Sequence, residues 1–203
     1  TINTDEAFVH LEEGTPLPYS TKFYSTHLEG FFNLEYYRLG LYDNLGSKQE
    51  LSSELVEKHQ DILNQSSLGG KFIRYELKNA DENRRRNAAG LLKGMAYLRG
   101  GAKQAAFGAD VAPKVLILAG MESANPIFNN MFNGTGEKPA LNLETLTQLA
   151  TDYKEKLATP IYVGIRAGDL ENEEEIKSLG DGFVVASPVE VVNQFIENYL
   201  ANG

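Results

Sequence analysis

Residues 81–120, DENRRRNAAGLLKGMAYLRGGAKQAAFGADVAPKVLILAG, run a long helical pattern, a Gly-Gly turn, an eleven-residue connection closed by Pro113 and a short apolar segment. At 100° per residue, Ala88, Leu91, Leu92, Met95 and Leu98 fall on one side of a helix. Arg85, Arg86 and Lys93 fall roughly opposite, and Gly90 and Gly94 form a narrow strip that another backbone could approach closely. The helix is expected to stop at Gly100-Gly101, because glycine takes the left-handed terminal conformation without steric cost. Pro113 then leads into residues 115–119, VLILA, continuously apolar like a buried strand.

Residues 83–114 carry seven cations (Arg84, Arg85, Arg86, Lys93, Arg99, Lys103 and Lys114) against Asp110 alone. The local charge is therefore +6 in a chain of formal charge −9, and the remainder holds −15. A solvated amphipathic helix is the plain account of such a face. Two features favour an anionic partner held locally. Arg84, Arg85 and Arg86 sit in the first turns, where the positive end of the helix dipole disfavours cations. The basic island also stands alone in an acidic chain, which argues for a confined site and against indiscriminate nucleic-acid binding.

Elsewhere the patterns are weaker. Residues 1–21, with Gly14, Pro16 and Pro18, read as irregular or hairpin structure. Residues 22–42 are aromatic-rich and alternate, Tyr24, Thr26 and Leu28 on one face with Ser25, His27 and Glu29 on the other, then Phe32, Leu34 and Tyr36; this predicts one long strand or two broken at Gly30. Sheet packing accounts for most such aromatics, but on an exposed face they also stack on bases. Asp43 to Gly46 reads as a turn, residues 50–64 as a charged helical piece, residues 66–70 as a loop or linker, and residues 71–77 as a strand. Residues 121–140 read as a loop around Phe128 and Phe132.

From Leu141 onward helix and strand alternate: a helix capped by Asn142 and reaching about Leu157, a strand from Pro160 to Ile165, a short acidic helix from Glu173 to Leu179, and a strand from Gly182 to Ala186. Ser187-Pro188-Val189-Glu190 then reads as a capping box with proline at its first helical position, opening a last helix to about Leu200. This part holds four cations against eleven acids. The acidic run 171–175 is most simply a solvated helix.

With 203 residues the chain can bury a sizeable core. It has no cysteine, which removes disulfides and thiolate chemistry and fits a reducing compartment. No apolar run approaches the roughly 18 residues of a membrane span, so no membrane association and a cytoplasmic location are expected. The chain opens on Thr1, which suggests a fragment or absent segments, an N-terminal strand among them. There is no Walker motif and no dinucleotide fingerprint, and His10, His27 and His59 lack metal-ligand spacing. Gly100-Gly101 with Lys103 follows a helix, so phosphate there would be gripped by a backbone nest and not by a helix N-terminus. No catalytic residue, cofactor or metal is assigned.

Residues 23–34, FYSTHLEGFFNL, followed by LRGGAKQAAFGADVAPKVLILAGMESANPIF over residues 98–128, resemble the DevR-type backbone subunit of type I-B CRISPR surveillance (Cascade) complexes. Leu98, Gly100, Gly101, Lys103, Gln104, Asp110 and Pro113 occur in the family's order, and IYVGIRAG and SPVE fit how such chains end. The likeness covers most of residues 20–200.

It implies an α+β fold, a modified RRM or ferredoxin-like palm with an antiparallel sheet and helical insertions. The palm is expected as one domain over 1–203, with 43–70 a helical insertion or linker and 141–203 its alternating C-terminal part. It also implies a non-enzymatic, guide-RNA (crRNA) binding subunit that assembles along RNA beside identical copies and other Cascade subunits, meets a target DNA strand and serves antiviral defence. Expected RNA contacts are Arg85, Arg86, Lys93 and Arg99, then Gly100, Gly101, Ala102, Lys103 and Gln104, with Tyr24 and His27 from the aromatic stretch. A small α/β enzyme or ligand-binding domain for a phosphorylated metabolite, using the same loop, is the competing reading. A purely structural adaptor is a third.

Overall fold

The computed structural model describes residues 2–4, 18–20, 27–99, 110–133 and 138–201, which fall into two units, Thr1–Gly30 and Phe31–Gly203. In the first unit β1 (Ile2–Thr4) pairs antiparallel with β2 (Pro18–Ser20). The second unit is a mixed α+β structure built on two sheets. Among the described residues no helix is long and apolar enough to cross a membrane.

The first of these sheets comprises β3 (Leu41–Leu45), β4 (Lys48–Gln49), β5 (Leu63–Gly69) and β6 (Phe72–Leu77), all antiparallel in the order β4-β3-β6-β5. Gly69 and Gly70, with φ of +102° and +59°, make the tight turn between β5 and β6, a geometry that L side chains resist. Residues 43–70, expected as a helical insertion or linker, thus supply the end of β3 and all of β4 and β5 to this sheet. The helix anticipated over 50–64 contracts to α1 (Ser53–Lys58), capped by Ser52, whose Oγ accepts from Leu55 N at 3.3 Å.

Of the strand anticipated over 22–42, only Leu41 and Tyr42 are strand in the described part, at the start of β3: residues 27–35 have no regular structure and Tyr36–Arg38 is a single 3₁₀ turn. Alternation alone misleads there because a strand exists only through a partner. Leu28 and Phe31 remain exposed, and neither belongs to a described strand. Conversely β5, LNQSSLG, lacks an apolar rhythm and becomes a strand by pairing with β6, an override of local preference by context.

Helix α2 (Ala80–Ala96) follows. Its buried line is Arg84, Ala88, Leu92 and Ala96, a strict spacing of four. Relative to the expected face, the helix is rotated toward its smaller residues, and Leu91 is left 46 % exposed. The helix also ends earlier than Gly100. Tyr97 N still donates to the Lys93 carbonyl at 3.0 Å, but Leu98 N donates to Met95, tightening the last turn into i→i−3 geometry.

The second sheet has order β11-β10-β7 and joins β7 (Val115–Leu118), β10 (Ile161–Ile165) and β11 (Phe183–Ala186). Between them lie a two-residue pairing of β8 (Phe132–Asn133) with β9 (Ala140–Leu141), then α3 (Leu143–Asp152) and α4 (Glu173–Lys177). After β11 comes α5 (Pro188–Phe195), which runs on into a π turn over Ile196–Leu200. The antiparallel pairing expected holds throughout the four-stranded sheet and between β10 and β7, but β10 meets β11 parallel: a helical crossover carries the chain back to start β11 beside the start of β10.

Every residue of β10 is buried, as a strand covered on both faces must be. On one face Leu116, Leu118 and Tyr162 pack with Leu92 and Ala96 of α2 and Val191, Val192 and Phe195 of α5. On the other, Ile161, Val163 and Ile165 pack with Met131, Leu141, Leu146, Leu170 and Ile176. The anticipated caps are in place: Asn142 accepts from Thr145 N at 3.0 Å, and Ser187 Oγ from Glu190 N at 3.3 Å, with Pro188 at the start of α5. Gly164 lets α5 approach, since a Cβ there would stand 2.6 Å from Pro188 Cα.

Candidate nucleic-acid interface

Helix α2 divides its cations between structure and surface. Arg84 points into the protein: its Nε donates to the Leu39 carbonyl at 3.1 Å, Nη2 to Glu76 at 2.7 Å and Nη1 to Asp81 at 3.0 Å. It is the pin between the helix and β6, and it leaves the pool of cations counted in the basic island. Arg85, expected on the open face with Arg86 and Lys93, is half-buried on the flank toward Tyr36. Burial raises that phenol's pKa and the Arg85 charge opposes the rise.

Arg86 and Lys93 stand on the solvent side, two turns apart. Arg86 donates to the Asn83 amide oxygen. Neither Arg86 nor Lys93 forms an ion pair with a described residue. Gly90 and Gly94 share this outer side, with nothing within 4 Å of the Cβ that either lacks. The close backbone approach anticipated for them is absent within the described residues because the helix turns them outward.

A second group forms where β7 and β10 begin and end together. Lys114 Nζ donates to Asp110 Oδ2 at 2.7 Å, and Arg166 Nη1 lies 3.9 Å from the same oxygen. The Asp110 Oδ1 accepts from Ala112 N at 3.0 Å, and Arg166 N from the other chain segment donates to the Lys114 carbonyl at 2.8 Å. The Lys114 hydrogen bond, then that of Ala112, bring the Asp110 pKa down to about 2, and the charge of exposed Arg99 adds to the effect. Three cations thus surround one carboxylate. This local excess of positive charge joins Arg99, an expected contact, to Arg166, which sequence reading missed. Only the long-range pairing of β7 with β10 brings Arg166 there.

Of the other expected contacts, His27 is exposed and belongs to the first unit, Thr1–Gly30. Tyr24, Gly100, Gly101, Ala102, Lys103 and Gln104 lie outside the described residues. A depression of about 320 Å³ elsewhere on the second unit is lined by Lys138 and by Glu171, Glu173, Glu174 and Glu175, a wall that repels phosphate. Among the described residues no group of three or more His, Asp or Glu side chains could hold a metal ion.

The fold and this surface define a mixed α+β protein with antiparallel β-pairing and a cationic helix face. Comparison with protein-family models, curated proteins and solved structures finds no match.

Proposed function

We propose that this chain is a non-enzymatic, guide-RNA-binding backbone subunit of a CRISPR surveillance complex of the type I-B Cascade kind, acting in the cytoplasm in antiviral defence. The observation that carries the reading is the pair Arg86 and Lys93 on the outer side of α2, without acidic partners among the described residues. The order of residues 98–128 and its resemblance to DevR-type subunits supports it. In this reading the α+β unit is a modified RRM-like palm, Arg85 and Arg99 flank the phosphate path, and Lys103 and Gln104 continue it. Identical copies, other subunits and a target DNA strand are the further partners.

The test is guide-RNA affinity measured across salt for Arg86→Ala, Lys93→Ala and Lys103→Ala. Removing a cation that neutralises one phosphate lowers the salt slope by about one unit. Unchanged affinity and slope in all three variants would sink the proposal. The metabolite reading predicts instead a protein that purifies without 260 nm-absorbing material and binds inorganic phosphate through the same loop.

A further inference from the structure

Tyr97 is the C-terminal cap residue of α2, and the residue is 59 % exposed. Its backbone N–H bonds to the Lys93 carbonyl, which places it one turn beyond Lys93 on the same side of the helix. The steps 86, 90, 93 and 97, of four, three and four residues, therefore trace one outer line: a guanidinium, a bare glycine, an ammonium and an aromatic ring. At 1.5 Å per residue, Arg86 and Lys93 are about 10 Å apart along the axis and Tyr97 lies about 6 Å further on. An exposed ring is not a site in itself, but two cations in line with it supply what single-stranded nucleic-acid surfaces combine: charges that track a backbone and a platform for a base. Burial does not explain the ring. The apolar side of α2 is already complete with Ala88, Leu92 and Ala96, and Tyr97 contributes to neither hydrophobic cluster.

We infer that Tyr97 is a base-stacking residue for single-stranded RNA, holding one base against its ring while Lys93 and Arg86 hold the adjoining phosphates. The inference rests on the RNA reading above and adds to it the residue that touches a base. Stacking uses the π-face that every base presents, so the interaction is indifferent to sequence, as a subunit carrying different guides requires.

The experiment compares the wild type with Tyr97→Ala, Tyr97→Leu and Tyr97→Phe on two probes: a short oligouridylate and an abasic oligomer with the same number of phosphates. Tyr97→Ala and Tyr97→Leu should weaken oligouridylate binding by about 5- to 150-fold. Tyr97→Phe should retain it, and abasic affinity and the salt slope should stay at wild-type values in all three. Because Tyr97→Phe preserves the ring and Tyr97→Leu the apolar bulk, loss in the leucine variant with retention in the phenylalanine variant assigns the effect to the ring. Wild-type oligouridylate affinity in Tyr97→Ala, or an equal weakening on the abasic probe, overturns the inference. If the wild type binds oligouridylate and Arg86→Ala or Lys93→Ala lowers the salt slope while Tyr97→Ala changes nothing, the inference fails alone. If the wild type binds neither probe, the RNA reading fails with it.

Discussion

Gly164 and Gly90 are both glycines in regular elements, and their surroundings give them opposite roles. At Gly164 a methyl group would meet Pro188 Cα at 2.6 Å and a Val191 methyl at 2.8 Å. The first of these is backbone, so relief requires α5 to move off β10. Gly164→Ala should therefore destabilise the protein by about 1–3 kcal/mol, the range for overpacking a closed core, read as a lower midpoint in urea unfolding. At Gly90 nothing lies within 4 Å, and the fold itself gains nothing from the missing side chain. Arg84 and Arg86 make the same contrast among cations: one is buried and held by three acceptors, the other reaches out beside Asn83.

The four-stranded sheet is held differently from the three-stranded one. Within it Tyr75 and Asp43 are the buried side chains, and the Asp43 carboxylate lies between Arg74, at 2.8 and 3.0 Å, and Arg38, at 2.7 Å. Those hydrogen bonds, Arg74 first, hold its pKa well below the usual carboxylate range. A depressed carboxylate contributes stability above its unfolded value, about 3.9, and loses it as pH falls through the folded one. The four-stranded sheet should thus loosen below about pH 4 while β7, β10 and β11, packed by apolar side chains, persist to lower pH. Amide exchange at Leu63–Gly69 and Ile161–Ile165, followed down the pH scale, checks this. Asp43→Asn should bring the loosening to neutral pH, and equal acid response of both sheets would refute it.

These differences also explain what could be read from the sequence. The order of the elements after Leu141 and their starts were legible because capping chemistry and continuous apolar runs are local signals: Asn142, Ser187 and Pro188 sit where their side chains require, whereas the helix expected to reach about Leu157 ends at Asp152. β5 was not legible, since its seven residues expose almost everything and only β6 makes them a strand. At the candidate interface spacing alone places Arg86 and Lys93 on the outer side of the helix, but it places Arg85 there too, which the structure half-buries. The withdrawal of Arg84 and the arrival of Arg166 could not be read from spacing, because each depends on a partner distant in sequence, Leu39 and Lys114 respectively.

Along the whole sequence the basic stretch 83–114 is separate from the acidic stretch after residue 141, with four cations against eleven acids in the latter. Unlike patches on one molecule favour head-to-tail association between copies, and such heterologous interfaces form open arrays unless capped. The protein alone should be monomeric or weakly associated, and light scattering should show mass growing with RNA length once the RNA exceeds one footprint. One subunit per RNA at every length would end that picture. Helix α2 gives such an array a further property. Through Arg84 it grips β6, and through Leu92 and Ala96 it lies in the core against α5. A polyanion laid along its outer side therefore bridges a part of the fold tied by ion pairs and a part tied by apolar packing. It would act as a splint, so that loading the strand raises the resistance of the weaker sheet to local opening without touching that sheet.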